Sequence, residues 1–365
     1  MKFRGEPLIA VLSALLLSLS PVIASAAASG DKPYRFVLDE GFFWVDRAGA
    51  AKFVATAKEA GFNALVPCVW HGRGTTWPST QLKEPKWADN PRPLVDPLAN
   101  LISEAHAAGL EVHPWFTVML RQRDFMPAFW GEGTPKEAFD VHNPEFRRYI
   151  RDVILEVTAK YDVDGINLDY IRAKGVCTSS ACQADYKRAS GRNLLVDNLA
   201  MPVSSGAEQA IVAWNGSAVM ALVTEISEGV RRIKPGIPIT VSSHAGMREL
   251  KVEGANSIAW ANAGLIDYIL HIEYAQVGQM RQGLLEAALR DLRDDRKLIM
   301  IAGNYESEPR DQSIVWPRQP NEVGKALKYA GTYNPLQRSV ALYTYQYLTP
   351  EQVPVIRKTL DALPR

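Results

Sequence analysis

The sequence has 365 residues, of which 22% are charged and 47% are hydrophobic, and its formal net charge at pH 7 is +1. Because acidic and basic residues balance so closely, the composition gives no support for a nucleic-acid partner or for binding to an anionic lipid surface. Beyond the N-terminal segment no stretch reaches the roughly 20 consecutive apolar residues of a membrane span, so stable membrane insertion is not expected.

The first 26 residues have the pattern of a cleaved signal peptide. Lys2 and Arg4 precede an apolar run over residues 8–19, and the small residues Ala24-Ser25-Ala26 follow. This order of charged, apolar and small residues is typical of export signals. The sequence therefore predicts a mature protein, residues 27–365, that is periplasmic or secreted. A retained N-terminal anchor is the alternative.

Eight short runs of apolar and β-branched residues recur along the mature chain, and segments with helical periodicity separate them. Alternation of this kind is typical of βα units that build a parallel sheet. The predicted strands cover residues 35–39, 63–70, 111–118, 165–171, 237–244, 267–274, 297–304 and 339–346.

The segments between and after the strands carry helix start and stop signals. Gly61 and Gly109 follow the first two segments at the position of a helix C-cap, and Asn143 precedes Pro144 as the N-cap of the third. The fourth segment is predicted to be interrupted near Asn215-Gly216. The predicted helices cover residues 48–60, 97–108, 144–160, 207–234, 320–329 and 350–363.

This order of elements predicts an α/β protein with a single (β/α)₈ TIM-barrel domain. A doubly wound open sheet shows the same alternation, but it usually has a Gly-rich phosphate-binding turn after its first strand. Here Glu40-Gly41-Phe42-Phe43-Trp44 follows the first strand instead. No Pro-, Gly- or Ser-rich linker divides the chain, and α/β barrels often reach this length as one domain.

Polar and aromatic residues are concentrated at the carboxyl ends of the predicted strands, where barrel enzymes place their active sites. This mixture suits a polysaccharide or oligosaccharide substrate, because a pyranose ring offers an apolar face to aromatic side chains and hydroxyl groups to polar ones. Any single aromatic residue could instead belong to the core. The candidate substrate-binding residues are Glu40, Trp70, His71, Trp77, Trp115, Arg121, Asn167, Tyr170, Arg172, His244, Tyr274, Tyr305 and Tyr345.

The segment 164–172, Asp-Gly-Ile-Asn-Leu-Asp-Tyr-Ile-Arg, is the most informative part of the sequence. Period-two alternation places Gly165, Asn167 and Asp169 on one face of the fourth strand. A small and polar face that ends in a carboxylate suits the mouth of a barrel, so Asp169 is the first catalytic candidate. The alternative is a structural Asp169 that pairs with Arg172 or bonds to loop amides.

In this segment and in several others the sequence resembles the bacterial glycosyl-hydrolase-like family ten, whose relatives include hydrolases of cell-envelope glycans. The similarity extends over nearly the whole mature chain. Its motifs are Gly61-Phe62-Asn63, Asp96-Pro97-Leu98, Ala105-His106, Glu111-Val112-His113-Pro114-Trp115-Phe116, Asn143-Pro144-Glu145-Phe146-Arg147, Tyr161-Asp162-Val163-Asp164-Gly165-Ile166, Leu168-Asp169-Tyr170-Ile171-Arg172 and Ile266-Asp267-Tyr268. The resemblance implies hydrolysis of an extracytoplasmic amino-sugar glycan, with peptidoglycan stripped of its peptides as the first candidate.

Some residues depart from the patterns they resemble. His271-Ile272-Glu273-Tyr274 stands where the family usually has Pro-Gln-x-Tyr, and the stretch from Glu40 to Trp44 differs from the usual first strand. The segment 164–172 also resembles the chitinase-type motif Asp-Gly-x-Asp-x-Asp-x-Glu, but Ile171 occupies the position of the essential glutamate. Substrate-assisted cleavage of chitin through this strand is therefore not expected.

Glycoside cleavage normally needs a second carboxylate besides the acid that protonates the departing oxygen. Glu273 at the end of the sixth strand is the leading choice, although alternation places it on the opposite face from Tyr274. Glu306 follows the seventh strand and is the next catalytic candidate. Glu308 and Glu40 are further choices.

Two other functions stay open, a non-catalytic carbohydrate-binding barrel and a metal-dependent polysaccharide deacetylase. The deacetylase would need two histidines and an aspartate around one metal ion. Because the candidate histidines come from different strands without close ligand spacing, neither a metal site nor a cofactor is expected. These histidines are His71, His113, His244 and His271. His244 at its strand end could bind a sugar hydroxyl or could be structural.

The three cysteines divide into a pair and a single residue. Cys177 and Cys182 lie five residues apart in a Ser-rich loop after the fourth strand, and an oxidising compartment would let them close a small disulfide. Cys68 lies within an apolar run and is expected to be a buried thiol.

Overall fold

The computed structural model describes residues 33–82, 94–201 and 204–364, and the predicted signal peptide lies outside this part of the chain. The α-helices are α1 (Arg47–Ala60), α2 (Pro97–Ala107), α3 (Pro144–Lys160), α4 (Ser180–Ser190), α5 (Leu194–Ala200), α6 (Ser205–Ile233), α7 (Arg248–Val252), α8 (Ser257–Asn262), α9 (Gln282–Asp291), α10 (Pro320–Ala330) and α11 (Gln352–Ala362). The strands are β1 (Arg35–Asp39), β2 (Ala64–Trp70), β3 (Glu111–Val112), β4 (Trp115–Thr117), β5 (Ile166–Asp169), β6 (Ile239–Ser243), β7 (Tyr268–Glu273), β8 (Leu298–Gly303), β9 (Tyr305–Glu308), β10 (Asp311–Pro317) and β11 (Val340–Tyr343).

The parallel strands form a closed barrel with eight positions. β1 pairs with β2 on one side and with β11 on the other, and the sheet continues from β11 through β8, β7, β6, β5 and β4 back to β2. The third position is divided into β3 and β4 at His113 and Pro114, because proline has no N–H group to give to the ladder. The predicted (β/α)₈ barrel is confirmed, with this one strand in two pieces.

Aromatic rings fill the inside of the barrel at the amino ends of its strands. Tyr34 stacks on Phe36 with ring centres 4.8 Å apart, and both rings lie edge-on to the ring of His113. Tyr268 on β7 completes the cluster, with its ring centre 5.8 Å from that of Tyr34. Because these rings occupy the amino end, a ligand site belongs at the carboxyl ends of the strands.

The helices begin and end close to the residues that the sequence indicated. The Asp46 side chain accepts a hydrogen bond from the backbone N–H of Gly49 at the start of α1, and Gly61 ends that helix with a left-handed φ of 89°. Asn143 caps α3, which starts at Pro144 as predicted. These local signals are reliable here because caps depend on neighbouring residues alone.

Helix α6 is continuous, so the predicted interruption near Asn215-Gly216 is wrong. The Asn215 side chain lies 2.9 Å from Nε2 of His142 and donates a hydrogen bond of 2.8 Å to the backbone carbonyl of Val252. Since these partners satisfy the amide, it does not compete for the helix backbone. By length and composition alone α6 could cross a membrane, but its apolar residues Ile226 and Val230 are buried in the barrel core.

Several elements outside the barrel wall were not predicted. Helices α4 and α5 form an excursion after β5, and the antiparallel strands β9 and β10 form a hairpin after β8. Helix α5 has only seven residues, too few for a clear helical period. A disulfide joins Cys177 to Cys182 at the start of the excursion, and Cys68 is a free, buried thiol as expected.

Gly165, directly before β5, packs closely against His113 inside the barrel, and a substitution there tests this packing. A β-carbon at this position would lie 2.0 Å from Nδ1 of the buried His113, so we expect Gly165→Ala to lower the free energy of unfolding by about 1–3 kcal/mol through overpacking. Gly216→Ala is the matched control, since no atom lies within 4 Å of its β-carbon position and alanine favours a helix by about 1 kcal/mol. Urea unfolding followed by circular dichroism measures both. Equal stability of Gly165→Ala and the wild type would contradict the packing described here.

Candidate active site

Strand β5 presents Asn167 and Asp169 to the inside of the barrel. The Asn167 amide donates a 2.7 Å hydrogen bond to Oγ1 of Thr240, and its oxygen accepts one of 3.2 Å from the hydroxyl of Ser242. Asn167 is therefore bonded to β6 and fixes the two strands against each other. Asp169, two residues further along the same face, lies at the mouth of the barrel.

Asp169 is 9% exposed and has a distinct set of neighbours. The backbone N–H of Tyr170 donates to Oδ1 of Asp169 at 2.6 Å. Tyr170 has a left-handed backbone with φ 47°, which is uncommon for a residue other than glycine and ends the strand alternation. The ring of Tyr170 consequently lines the same cavity as Asp169. The indole Nε1 of Trp115 is buried near this carboxyl group but has no regular hydrogen-bond partner in the described part of the chain.

Arg172 pairs with Glu253 and not with Asp169. Its Nη1 lies 3.0 Å from Oε2 of Glu253, and its guanidinium lies 5.1 Å from the ring centre of Tyr170. Within the described residues Asp169 forms no ion pair. The pair with Arg172 that the sequence left open as a structural alternative is therefore absent, whereas the other form of that alternative, a bond to a loop amide, is present at Tyr170.

Glu40 supplies the second carboxyl group of the cavity. The hydroxyl of Tyr343 donates a hydrogen bond to Oε1 of Glu40, and Nε2 of His71 lies 3.8 Å from Oε2. Tyr343 reaches Glu40 because β1 and β11 are neighbours, with Leu38 in register with Tyr343. Glu40 and Asp169 line one cavity of about 140 Å³.

Burial gives the two carboxyl groups unusual proton affinities. Desolvation raises the pKa of Asp169 to about 7, against the lowering effects of the Tyr170 N–H and the Arg172 charge, and the negative charge of Glu40 raises it further. Desolvation also raises the pKa of Glu40, but the hydroxyl of Tyr343 stabilises its anion. At neutral pH a large share of Asp169 therefore keeps its proton.

His71 does not act as a counter-ion for Glu40. Burial lowers the pKa of His71 to about 4, and the positive charges of Arg73 and Lys174 lower it further. The Gln122 amide nitrogen contacts Nδ1 of the same ring. His71 is consequently a neutral group beside Glu40 at pH 7.

A cluster of aromatic rings forms one side of the mouth. Tyr274 stacks on Tyr343 with ring centres 4.8 Å apart, and Tyr305 lies 5.8 Å from both. The ring of Trp115 meets the edge of Tyr343 at 6.2 Å. Burial holds the pKa of Tyr274 and of Tyr343 well above the usual value, so their hydroxyls remain protonated.

Two further buried acids lie near this site. Cys68 is a free thiol whose pKa is raised well above the usual value by burial and by the charges of Glu40 and Asp169, so it is not a nucleophile at neutral pH. Asp39 lies on the opposite face of β1 from Glu40, and its Oδ2 accepts the backbone N–H of Phe42 at 3.1 Å. Burial raises the pKa of Asp39 to about 7. Asp39 does not line the cavity, and it holds the turn that follows β1.

Glu273, the leading sequence choice for the second carboxylate, lies outside the cavity. It accepts backbone hydrogen bonds from Arg281 at 3.0 Å and from Ala275 at 3.3 Å, and it pairs with the Arg281 guanidinium at 3.5 Å. His244 does line the cavity, and its Nδ1 lies 3.0 Å both from the carbonyl of Ile272 and from Nη2 of Arg281. Glu273 thus holds the loop after β7.

Glu306, the other predicted catalytic carboxylate, is paired at the rim. Its Oε1 lies 2.7 Å from Nε of Arg318, which is buried and also donates to the backbone carbonyls of Gly303 and Tyr274. The Gln276 amide donates to the same carboxylate oxygen at 3.1 Å. These contacts tie the β9–β10 hairpin to the barrel.

The structure brings ten of the predicted site residues together at the mouth and leaves four substrate-binding candidates away from the cavity. The ten are Glu40, His71, Trp115, Asn167, Asp169, Tyr170, Arg172, His244, Tyr274 and Tyr305. The four are Trp70, Trp77, Arg121 and Tyr345. Trp70 packs against the ring of Phe125, and Trp77 donates a hydrogen bond to the carboxylate of Glu156. Arg121 donates to the backbone carbonyl of Ala138, and the ring of Tyr345 packs against Phe53.

Tyr343 is the site residue that the candidate set missed, because Tyr345 was chosen from the same strand end. Alternation could not choose between them, because residues two apart share one face of a strand, but β11 ends at Tyr343, where Leu38 of β1 is in register, and Tyr345 begins a 3₁₀ turn beyond it. That register depends on barrel closure, which no local motif encodes.

The described residues contain one group of three side chains close enough to hold a metal ion. It consists of Asp140, Cys177 and Cys182, but the two sulfur atoms are joined in the disulfide. A disulfide offers no thiolate ligand. Two histidines and an aspartate with metal-site spacing do not occur within the described residues, so the donor set of a metal-dependent deacetylase is missing there.

Removing the Tyr343 hydroxyl should change the ionisation of Glu40. The hydroxyl stabilises the Glu40 anion, so we expect Tyr343→Phe to raise the pKa of Glu40 further while the aromatic stack is kept. Carbon-13 NMR titration of labelled glutamate measures this pKa. Tyr305→Phe is the control, because its ring is in the same cluster but its hydroxyl does not bond to Glu40. An identical Glu40 titration in both variants and the wild type would show that the hydrogen bond has no effect.

The amino-acid sequence matches a known protein family. Residues 38–136 and 119–293 match the model of glycosyl hydrolase-like 10. Glycosyl hydrolase DigH of Escherichia coli (strain K12) is 24% identical over 240 residues, with 53% of this chain and 50% of that protein covered. The chain therefore spans about half the length of the curated relatives it matches.

Solved structures show the same fold at low identity. The PgaB (BpsB) glycoside hydrolase domain from Bordetella bronchiseptica has a TM-score of 0.61 at 13% identity, covering 91% of this chain and 98% of that one. A β-galactosidase from Bacillus circulans sp. alkalophilus has a TM-score of 0.65 at 11% identity, covering 91% and 56%. The fold is thus a TIM barrel, as in these two glycoside hydrolases, and, since the family match covers well over half of its residues, the chain belongs to the glycosyl hydrolase-like 10 family.

Proposed function

We propose that this protein is a glycoside hydrolase in which Asp169 is the general acid and Glu40 is the second carboxylate. One observation carries the proposal: two carboxyl groups with raised pKa values line a single cavity at the carboxyl ends of the barrel strands. Pairs of carboxyl groups whose surroundings set different proton affinities are the usual catalytic equipment of glycosidases. Membership of a glycosyl hydrolase-like family supports the same reaction.

Asp169 fits the role of the acid because its environment disfavours its charged form. Burial raises its pKa to about 7, so the group holds a proton at neutral pH that it can give to the departing glycosidic oxygen. After the transfer, the N–H of Tyr170 and the nearby charge of Arg172 stabilise the carboxylate. The indole N–H of Trp115 near the same carboxyl group also favours its charged form.

Glu40 fits the role of the second carboxylate because it lines the same cavity as Asp169 and has a hydrogen-bond donor that stabilises its anion. The hydroxyl of Tyr343 donates to one oxygen, and His71 beside the other oxygen is neutral. A carboxylate in this position either attacks the anomeric carbon or takes a proton from the attacking water. Glu273 and Glu306 are each bound in an ion pair with an arginine, which argues against this role for them.

The proposed substrate is an amino-sugar glycan of the cell envelope, and the proposed location is the periplasm or the exterior. The support for the location is the signal-peptide pattern of the first 26 residues. The support for a sugar is the set of aromatic rings at the mouth, which can stack on pyranose faces. Peptidoglycan strands freed of their peptides remain the first candidate.

The test is to incubate the mature protein with four glycans and to analyse the products by mass spectrometry. The glycans are peptide-free peptidoglycan strands, partly deacetylated poly-N-acetylglucosamine, chitin and plant glucans. We expect cleavage of an amino-sugar glycan, and we expect Asp169→Asn and Glu40→Gln each to slow it by about 10²- to 10⁴-fold. Glu308→Gln removes an acid from the hairpin outside the cavity and is the matched control, expected to keep full activity.

Three outcomes would each overturn a different part of this proposal. Cleavage of the plant glucans alone would contradict the amino-sugar substrate. Full activity in folded Asp169→Asn would remove Asp169 from the mechanism. Binding to a glycan without cleavage of any would replace the hydrolase with a non-catalytic carbohydrate-binding barrel.

A further inference from the structure

The cations around the mouth of the barrel differ in whether they have an acidic partner. Three of them are neutralised by a carboxylate within 4 Å. These pairs are Arg172 with Glu253 at 3.0 Å, Arg281 with Glu273 at 3.5 Å and Arg318 with Glu306 at 2.7 Å. Ion pairing of this kind is the ordinary state of partly buried arginines.

Arg73 and Lys174 have no such partner among the residues that the structure describes. Within residues 33–82, 94–201 and 204–364, Arg73 forms no hydrogen bond and no ion pair, and its Nε is buried. Lys174 forms no ion pair within 4 Å there, and its ammonium group makes a single hydrogen bond of 3.4 Å to the backbone carbonyl of Glu137. The charges of Glu137 and Glu253 act on it only from beyond that distance. Both side chains are half-buried, so each holds a positive charge that water reaches only in part.

Aromatic rings position both cations beside the catalytic cavity. The guanidinium of Arg73 lies 5.2 Å from the ring centre of Phe42, and that ring meets the edge of His71 at 6.1 Å. The ammonium of Lys174 lies 5.2 Å from the ring centre of Tyr170, which lines the cavity.

The surroundings of these cations argue for a ligand. Lys174 has a left-handed backbone with φ 55°, a costly conformation that concentrates at functional sites. His71 lies 3.8 Å from Glu40 and is acted on by the charges of both cations, and as a neutral group it cannot balance them. A partly buried cation without a partner is unfavourable unless a bound anion compensates for it.

We propose that Arg73 and Lys174 bind an anionic substituent, a carboxylate, on the glycan that occupies the cavity. The proposal rests on the proposed function and names a class within it, acidic sugars. A guanidinium binds a carboxylate through two parallel hydrogen bonds, and an ammonium group adds a point charge. Sugars with a lactyl ether and sugars with a uronic acid both carry such a group.

The experiment measures binding, so that it does not depend on hydrolysis. Isothermal titration of Asp169→Asn protein uses three probes, namely peptide-free peptidoglycan oligosaccharides, the same oligosaccharides with their lactyl carboxylates amidated by methylamine, and a polyuronate oligosaccharide. We expect the carboxylated peptidoglycan form to bind at least about tenfold more tightly than its amidated form, as removing a charged hydrogen-bond partner typically does. Raising the salt concentration should reduce that preference.

Adding Arg73→Gln or Lys174→Gln to this protein should lower the preference for the carboxylated form by about five- to tenfold. Lys136→Gln is the matched control, because Lys136 is 92% exposed in a neighbouring loop and should leave the preference as it was. Circular dichroism checks the folding of each variant. Tighter binding of the polyuronate would assign the pair to uronic acids.

Equal binding of the carboxylated and amidated forms would overturn the proposal, and so would a preference that survives both substitutions or an absence of binding to every probe. A carboxylate preference without cleavage of any glycan would uphold this inference while the proposed hydrolysis failed.

Discussion

Closure of the barrel between β1 and β11 is the constraint on which the site depends. Glu40 follows the first strand and Tyr343 ends the last, and their hydrogen bond joins residues 303 positions apart. The same closure stacks Tyr343 on Tyr274, whose ring lies near Asp169. Glu40 therefore has its hydrogen-bond donor, and the aromatic cluster of Tyr274, Tyr305 and Tyr343 forms beside it, only when the whole sheet is complete.

Burial raises the pKa of Asp169 and of Asp39, and it lowers the stability of the protein at high pH. The pKa of Asp169 is about 7 in the folded protein, above its ordinary value of 3.8. A carboxyl group with a raised pKa contributes stability below its ordinary pKa, and that contribution is lost as the pH rises through the folded value. Asp39 has the same sign and adds to this effect. The protein is therefore less stable at alkaline pH, because it contains a carboxyl group that keeps its proton near neutrality.

Local patterns in the sequence predicted the barrel, the helix caps and the inward face of β5 with Asp169. The same alternation warned that Glu273 and Tyr274 cannot both face the cavity, and the structure places Tyr274 there. The partnership of Glu40 could not be predicted, because it depends on the long-range register of β1 with β11. The role of Trp77 could not be predicted either, because an aromatic residue after a strand gives the same sequence pattern whether it lines a cavity or packs in the core. In the structure Trp77 is buried and its indole donates a hydrogen bond to Glu156.

The dependence of kcat/KM on pH tests most directly whether Asp169 and Glu40 act as acid and carboxylate in one site. Because Asp169 must be protonated, activity should fall as the pH rises through about 7, and because Glu40 must be ionised, it should also fall at acidic pH. With a leaving group that departs without a proton, Asp169→Asn should keep activity and lose the alkaline fall. A wild-type profile that stays level through about pH 6 to 8, or an alkaline fall that persists in Asp169→Asn, would contradict this account.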